Sequence, residues 1–249
     1  MPYGMYVSAS GANAQSKRMD VIANNLANID TPGFKKDFPV LQARHAEAIE
    51  KGQVPQGMGR PEDIGGGVSF EEIVTDFETG TLKSTGIETD LAINGEGFFV
   101  VQKDGQPLLT RAGNFRFTGE GFLQTQDGLP VLSTDNNPIQ IDPSLPRSFE
   151  VDGTIRQGGD IFELAVVKPN SLGDLVKSGE TFFTPLAETP AVPLGERQVL
   201  SGYQEQSTVN SATEMMSMIE ASRAYEANVK MIQSQDQALG TLISRILGQ

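Results

Sequence analysis

Residues 215–246 decide the fold, and they read MMSMIEASRAYEANVKMIQSQDQALGTLISRI. Positions spaced alternately three and four apart in this stretch are apolar in eight of ten cases, if Tyr225 is counted. The ten positions are Met215, Met218, Ser222, Tyr225, Val229, Ile232, Asp236, Leu239, Ile243 and Ile246. This alternation is typical of the seam of a coiled coil.

The N-terminal end of the chain carries a matching stripe, in which six of eight seam positions are apolar. The eight positions are Met5, Ser8, Ala12, Gln15, Met19, Ile22, Leu26 and Ile29. Apolar stripes at both ends suit helices that pair with each other and with neighbouring copies. The pattern therefore predicts an assembly protein rather than an enzyme. Two helices that simply fold onto a β domain are the alternative.

Between the stripes, the sequence takes on a strand-like period from Val68 onward. Asp-Gly pairs at 104–105, 127–128 and 152–153 indicate hairpin turns. We predict an α+β fold, with long N- and C-terminal helices forming a coiled-coil stem and a β-rich middle domain of hairpins in a meander. The predicted domains are the N-terminal helix and turn (1–36), a short helix and Gly/Pro-rich linker (37–67), the β-rich domain (68–206) and the C-terminal helix (207–249).

Local signals place the ends of the two long helices. The first helix is predicted to begin near Pro2 and to end at Thr31-Pro32-Gly33, because proline restricts the residue before it and glycine suits a left-handed turn. Ser211 and Glu214 are spaced as a capping box, so the last helix is predicted to begin there and to reach about Leu247.

The composition limits the possible partners. The formal net charge of −13 lies almost entirely in the middle of the chain, which argues against nucleic acid as a partner. The chain has no cysteine, so disulfides and thiol chemistry are excluded. The N-terminus lacks the basic and apolar regions of a secretory signal, so we expect no cleaved signal peptide.

The sequence offers little support for enzymatic chemistry. His45 is the only histidine, so neither a two-histidine metal site nor a cysteine–histidine pair can form. No dinucleotide-binding or P-loop glycine pattern occurs, and 32 acidic residues make any one carboxylate pair uninformative. We therefore predict no catalytic residue, cofactor, metal or small-molecule substrate. A periplasmic wall-acting enzyme and a monomeric β-domain binding module remain as alternatives.

Three stretches carry a resemblance to a known family. Residues 23–36, ANNLANIDTPGFKK, resemble the N-terminal signature of the flagellar rod and hook proteins, the axial proteins of the bacterial flagellum. Residues 90–101, DLAINGEGFFVV, and 110–113, TRAG, resemble the central signature, and residues 220–230, EASRAYEANVK, resemble the C-terminal helix of the group. The motif residues at the two ends are Ala23, Asn24, Asn25, Leu26, Ala27, Asn28, Thr31, Gly33, Phe34, Arg223 and Tyr225.

The resemblance implies a structural subunit of the flagellar rod that polymerises through its terminal helices. The implied partners are copies of itself, other rod proteins and the flagellar type III export apparatus, and the implied location is the periplasmic rod of the basal body. The compact span from Phe34 to Gly66 favours the proximal-rod type, with distal-rod and hook types as alternatives. The apolar seam positions are then candidate subunit-interface residues, namely Met5, Ala12, Met19, Ile22, Leu26, Ile29, Met215, Met218, Tyr225, Val229, Ile232, Leu239, Ile243 and Ile246.

Overall fold

The computed structural model describes residues 3–45, Ile49, Lys51 and 65–247. Its two long helices are α1 (Tyr3–Ala27) and α2 (Ser211–Leu247), and short strands lie between them. The predicted α+β class is therefore confirmed. The chain divides into two compact units. We call the unit that contains both long helices the helical unit and the other the β unit.

The helical unit contains α1, α2 and a two-stranded antiparallel sheet of β1 (Asp37–Arg44) and β2 (Gly67–Thr75). α1 packs against α2 and against both strands. Asp37 lies opposite Thr75, and the register shifts at a bulge between Val40 and Leu41. The unit is thus assembled from the two ends of the chain and one hairpin near the N-terminus.

The short helix predicted at the start of the 37–67 region is wrong for residues 37–44, because these residues form β1. Pairing with the apolar strand β2 overrides the local helical pattern, as often happens when tertiary contacts decide a strand. Pro39 fits this outcome, since it lacks an amide proton and is tolerated in a strand with a free edge. Residues 46–48 and 50 and most of the predicted linker, 52–64, lie outside the described residues.

The β unit is formed by Asn28–Lys36 and Asp76–Val209. Its central sheet has the strand order β12-β5-β6-β14-β13, and smaller ladders surround it. The strands are β3 (Leu82–Ser84), β4 (Leu91–Ile93), β5 (Phe98–Lys103), β6 (Gln106–Thr110), β7 (Arg116–Phe117), β8 (Leu123–Gln124), β9 (Arg147–Phe149), β10 (Thr154–Gln157), β11 (Asp160–Glu163), β12 (Val166–Val167), β13 (Leu175–Lys177), β14 (Phe182–Pro185), β15 (Val199–Ser201) and β16 (Tyr203–Glu205).

The predicted hairpin at 104–105 is confirmed, because β5 and β6 pair directly across it. Asp104 and Gly105 both have positive φ, at 51° and 80°, which is the geometry that Asp-Gly favours in a two-residue turn. The sheet buries two apolar clusters. In the larger one, Phe99 and Phe115 meet edge to face with ring centroids 5.2 Å apart.

The observed unit boundaries differ from the predicted domains at two places. Residues 28–36 belong to the β unit rather than to the first helix, and β2 belongs with the helices rather than with the β-rich domain. The start of α2 also differs by one residue from the predicted capping box. The Thr213 amide donates to the Asn210 side chain over 3.2 Å, so Asn210 is the N-cap and Ser211 is the first helical residue.

Candidate assembly site

The two long helices of the helical unit pack antiparallel. Contacts between them recur every seven residues or nearly so, which is the repeat expected of a helix seam. The contacts join Gly4 to Gln235, Gly11 to Asn228, Arg18 to Glu220 and Asn25 to Glu214. Two of these contacts are made at Gly4 and Gly11, which lie one residue before the predicted seam positions Met5 and Ala12.

Small residues explain this displacement. A Cβ at Gly4 would lie 2.8 Å from the Gln235 side chain, and one at Gly11 would lie 3.0 Å from that of Asn228. Ala221 of α2 has no exposed surface. Small side chains let two helix backbones approach closely, but they give no hydrophobic signal in the sequence. The apolar pattern therefore identified the helices but gave no sign of these small contact residues.

The predicted interface residues fall into three groups. Buried residues are Ala12 and Ile22. Half-buried residues are Met5, Met19, Leu26, Ile29, Met218, Val229, Ile232 and Leu239. Exposed residues are Met215, Tyr225, Ile243 and Ile246. Packing within one chain thus covers part of the predicted stripes and leaves the rest of the α2 stripe open.

The outer surface of α2 is rich in exposed apolar side chains. We call the following eight residues the open apolar surface: Met215, Met216, Ile219, Tyr225, Met231, Leu242, Ile243 and Ile246. Ile246 is the most exposed, at 74% of its full area. At 3.6 residues per turn these eight side chains are distributed around the helix rather than along one stripe. Single exposed apolar residues need no explanation, but eight on one helix suit contacts with more than one protein partner.

Asn25 holds the helical unit together at the end of α1. Its side-chain oxygen accepts from the Asp37 amide, and its side-chain nitrogen donates to the Asp37 carbonyl, both over 2.9 Å. The same nitrogen lies 3.4 Å from a carboxylate oxygen of Glu214. Asn25 is only 1% exposed, so it satisfies a buried peptide group where β1 begins beside the two helices.

A buried ionic cluster lies in the β unit. Lys35 Nζ donates to Glu205 Oε1 over 2.6 Å, and Arg111 Nη1 donates to Glu205 Oε2 over 3.2 Å. Burial lowers the pKa of the Lys35 ammonium and of the Arg111 guanidinium, while the Glu205 carboxylate opposes both shifts. Lys35 and Arg111 also donate to the backbone carbonyls of Glu78 and Gly95, over 2.5 and 2.6 Å.

Gly33 closes the signature turn against the segment that carries Arg111. Its φ is +70°, and a Cβ there would lie 2.3 Å from the Ala112 nitrogen. Its amide donates to the Glu205 carbonyl over 2.8 Å. The N-terminal signature and the TRAG stretch therefore meet in the β unit at a point where only glycine fits.

Two other kinds of site, a membrane-spanning helix and a metal centre, are absent from the described residues. No helix among them is both long enough and apolar enough to cross a membrane. No group of three or more histidine or acidic side chains in this part of the chain is placed to hold a metal ion. His45 is exposed, at the end of the first described stretch.

Profiles of flagellar families match three parts of the chain in order. The profile of the flagella basal body rod protein matches residues 5–35, that of the flagellar hook protein FlgE/F/G D1 domain matches residues 92–162, and that of the flagellar basal body rod FlgEFG protein C-terminal matches residues 200–245. FlgF of Caulobacter vibrioides is 32% identical over 248 residues, which cover 99% of this chain and 98% of that protein. The chain belongs to the flagellar basal-body rod protein family.

Other full-length relatives are rod proteins of the FlgG type. FlgG of Buchnera aphidicola is 33% identical and FlgG of Bacillus subtilis is 30% identical, each over 258 residues that cover 96% of this chain and 97% of the relative. The family is one of structural proteins rather than of enzymes. The predicted family and the predicted absence of enzymatic activity are therefore confirmed.

The signature residues separate into two sets by burial. The buried or half-buried set stabilises the chain itself, and it consists of Asn25, Leu26, Asn28, Thr31, Gly33 and Phe34. The exposed set consists of Ala23, Asn24, Ala27, Arg223 and Tyr225. The exposed side chains of Ala23, Ala27, Arg223 and Tyr225 are candidates for contacts with other molecules.

Proposed function

We propose that this protein is a structural subunit of the flagellar rod and that it polymerises through α1 and α2. The observation that carries the proposal is the open apolar surface of α2. Burying one such side chain contributes roughly 1.5–3 kcal/mol, so covering several of them is a substantial driving force for association. Contacts of this kind between identical subunits produce an open helical tube when the interface does not close on itself.

The geometry of the helix pair indicates which part of α2 is available to contact neighbouring subunits. Gly4 lies against Gln235, so the α2 residues after about 236 extend past Tyr3, the first residue of α1. This extension is about 16 Å long at 1.5 Å per residue. It carries Leu242, Ile243 and Ile246, which are all exposed. We assign this extension and the open apolar surface to contacts with neighbouring subunits, and we propose that the assembled helices form a coiled-coil stem.

The proximal rod is the position that we propose. The alignment with FlgF of Caulobacter vibrioides spans 248 residues and uses 99% of this chain. The alignments with the FlgG proteins of two Buchnera aphidicola strains span 258 and 264 residues but use only 96%. The chain thus matches the FlgF length with fewer gaps. A distal-rod or hook-type position is the alternative.

We further propose that the subunit reaches the periplasmic rod through the flagellar type III export apparatus, without a cleaved signal peptide. Isolated helices are marginal in water and gain stability mainly from packing. Gly11, Asn24 and Asn28 weaken the first helical segment further. Such a chain is suited to travel unfolded and to form its helices fully when partners are present.

The sharpest test uses the part of α2 that extends past α1. Replacing Ile243 and Ile246 with Asp places two charges on the proposed interface without changing a buried residue. We expect the purified variant to keep its helix content and melting temperature. We expect the same variant to fail to restore motility in a strain lacking the gene, and to be absent from purified hook–basal bodies.

Ser244→Asp is the matched control, because Ser244 is exposed on the polar side of the same turn. This control should restore motility. Normal motility of the Ile243→Asp/Ile246→Asp variant would refute assembly through this surface. Quantitative mass spectrometry of wild-type hook–basal bodies then tests the position, since a handful of copies supports the proximal rod and several-fold more supports the distal rod.

A further inference from the structure

Residues 199–209, which we call the closing segment, complete the β unit by returning to its N-terminal parts. β15 pairs with β4, so that Val199 lies opposite Ile93. β16 pairs with β3, so that Glu205 lies opposite Leu82. These antiparallel pairs join positions more than 100 residues apart in the sequence.

The closing segment also captures the residues that follow the signature turn. The Glu205 carbonyl accepts from the Gly33 amide over 2.8 Å, and the Thr208 amide donates to the Phe34 carbonyl over 3.2 Å. The Thr208 hydroxyl accepts from the Lys36 amide over 3.0 Å. Residues 33–36 are therefore held in the β unit by hydrogen bonds to its last residues, two of them between backbone groups and one to the Thr208 hydroxyl.

Glu205 joins these pieces electrostatically. Its carboxylate accepts from Lys35 Nζ and Arg111 Nη1, and also from the Gly80 amide over 2.8 Å. The Glu205 side chain has no exposed area, and those of Lys35 and Arg111 are 1% and 6% exposed. Before the closing segment is in place, both cations lack this carboxylate, and burying an unpaired charge is strongly unfavourable.

The remainder of the β unit combines short-range hairpins with pairings of intermediate range, such as Phe99 with Val166 and Thr110 with Phe182. The hairpin of β5 and β6 is closed by two residues, and β9, β10 and β11 form a continuous meander. Local contacts of this kind form quickly, because the entropy of closing a short loop is small. The closing segment has the opposite character, since nearly all of its partners lie more than 90 residues away.

We infer that the β unit folds in two steps, that the closing segment docks last, and that Glu205 is the latch that completes it. The first 198 residues alone therefore leave Lys35 and Arg111 solvated and the edges of β3 and β4 unpaired. A chain delivered N-terminus first stays incompletely folded until about its last fifth arrives. The value of late folding for delivery rests on the proposed export of a rod subunit, whereas the order of folding itself does not depend on export.

Pulsed hydrogen exchange on the full-length chain tests the order directly. The protein is refolded from denaturant, labelled at successive times and digested, and protection is read by mass spectrometry. We expect peptides covering β5 and β6 to become protected at least about tenfold faster than peptides covering β3, β4 and the closing segment. Simultaneous protection, or earlier protection of the closing segment, would overturn the inference.

Glu205→Gln tests the latch, because it keeps the shape of the side chain and removes its charge. We expect the unfolding rate to rise about a hundredfold or more, with the first refolding phase changed less than about twofold. Glu163→Gln is the control, since Glu163 is only partly buried and contacts neither cation of the cluster. If Glu205→Gln slows the first refolding phase by the same factor as it accelerates unfolding, the ionic cluster forms early in folding. That result would refute the assignment of Glu205 as the latch.

A second substitution covers the case in which Glu205→Gln does not fold. Val199→Ala shortens a buried side chain of the closing segment without touching a charge. It should accelerate unfolding and leave the first phase unchanged, whereas Val101→Ala in β5 should slow the first phase. These measurements use purified protein alone, so their failure is distinguishable from a failure of the proposed assembly, which is read from motility and hook–basal bodies.

Discussion

Gly33→Ala provides the most quantitative test of how the signature turn is built. Gly33 has a φ of +70°, and a left-handed conformation disfavours an L-residue by about 1–2 kcal/mol. The new Cβ would also lie 2.3 Å from the Ala112 nitrogen and 2.4 Å from the Arg111 carbonyl carbon. Ordinary carbon contacts begin near 3.5 Å, so one backbone segment must move by about 1 Å. Overpacking of this kind costs about 1–3 kcal/mol, and the total loss is therefore about 2–5 kcal/mol.

The chain offers a matched control for the conformational part of this loss. Gly86 has a φ of +71°, almost identical to that of Gly33, but a Cβ there would meet nothing within 4 Å. Gly86→Ala should therefore cost only about 1–2 kcal/mol. The free energy of opening of the β unit can be measured for both variants by native-state hydrogen exchange of peptides covering residues 98–110. Equal losses at the two positions would refute the close contact between residue 33 and the segment at 111–112.

Two further substitutions test the helical unit. Ile232→Asp places a charge on the covered side of α2, so we expect loss of motility and of rod assembly while the amides of the β unit keep their protection. Gln233→Asp, at an exposed position, should be tolerated as the control. Normal motility of the Ile232→Asp variant would contradict the proposal. Asn25→Ala removes two hydrogen bonds made by the buried backbone of Asp37 and should destabilise the unit by about 2–4 kcal/mol, measured as faster amide exchange in β1. Asn13→Ala, at an exposed position of the same helix, should have a much smaller effect, and equal effects would exclude the role given to Asn25.

Features encoded by short-range patterns were predictable from the sequence. The seven-residue repeat, Pro2 and the Ser211/Glu214 pair are local signals, and both long helices lie within a few residues of their predicted ends. The Asp104-Gly105 turn is equally local, because these two residue types favour the positive φ that the hairpin needs. Neither prediction required any knowledge of the rest of the fold.

Features that depend on distant partners were not predictable in the same way. β1 was predicted as helix because its strand character comes from pairing with β2 across residues 45–66. The contact register of α1 and α2 depends on Gly4, Gly11 and Ala221, which have no apolar pattern of their own. Lys35 stands 170 residues from Glu205, and a chain with 32 acidic residues gives no sign of which one becomes its partner.

The stretches that resemble the rod family include some of the residues whose contacts the local sequence patterns did not predict. Lys35 and Gly33 lie in the quoted N-terminal stretch, and Arg111 lies in TRAG, although the resemblance alone gave no reason for either. The structure supplies the reason, because these residues meet around Glu205. A signature can therefore record a requirement for folding as well as one for assembly.

The burial of each side chain distinguishes signature residues needed for folding from those needed for assembly. Asn25 and Asn24 are neighbours, yet the first satisfies buried groups of its own chain and the second is exposed. Changes at buried positions such as Gly33 act first on the stability of the monomer, and they reduce assembly only by removing folded subunits. Changes at exposed positions such as Arg223 and Tyr225 leave the monomer intact, so any loss of assembly must arise at contacts with another molecule. A comparison of purified-protein stability with incorporation into hook–basal bodies therefore assigns each signature residue to one requirement or the other.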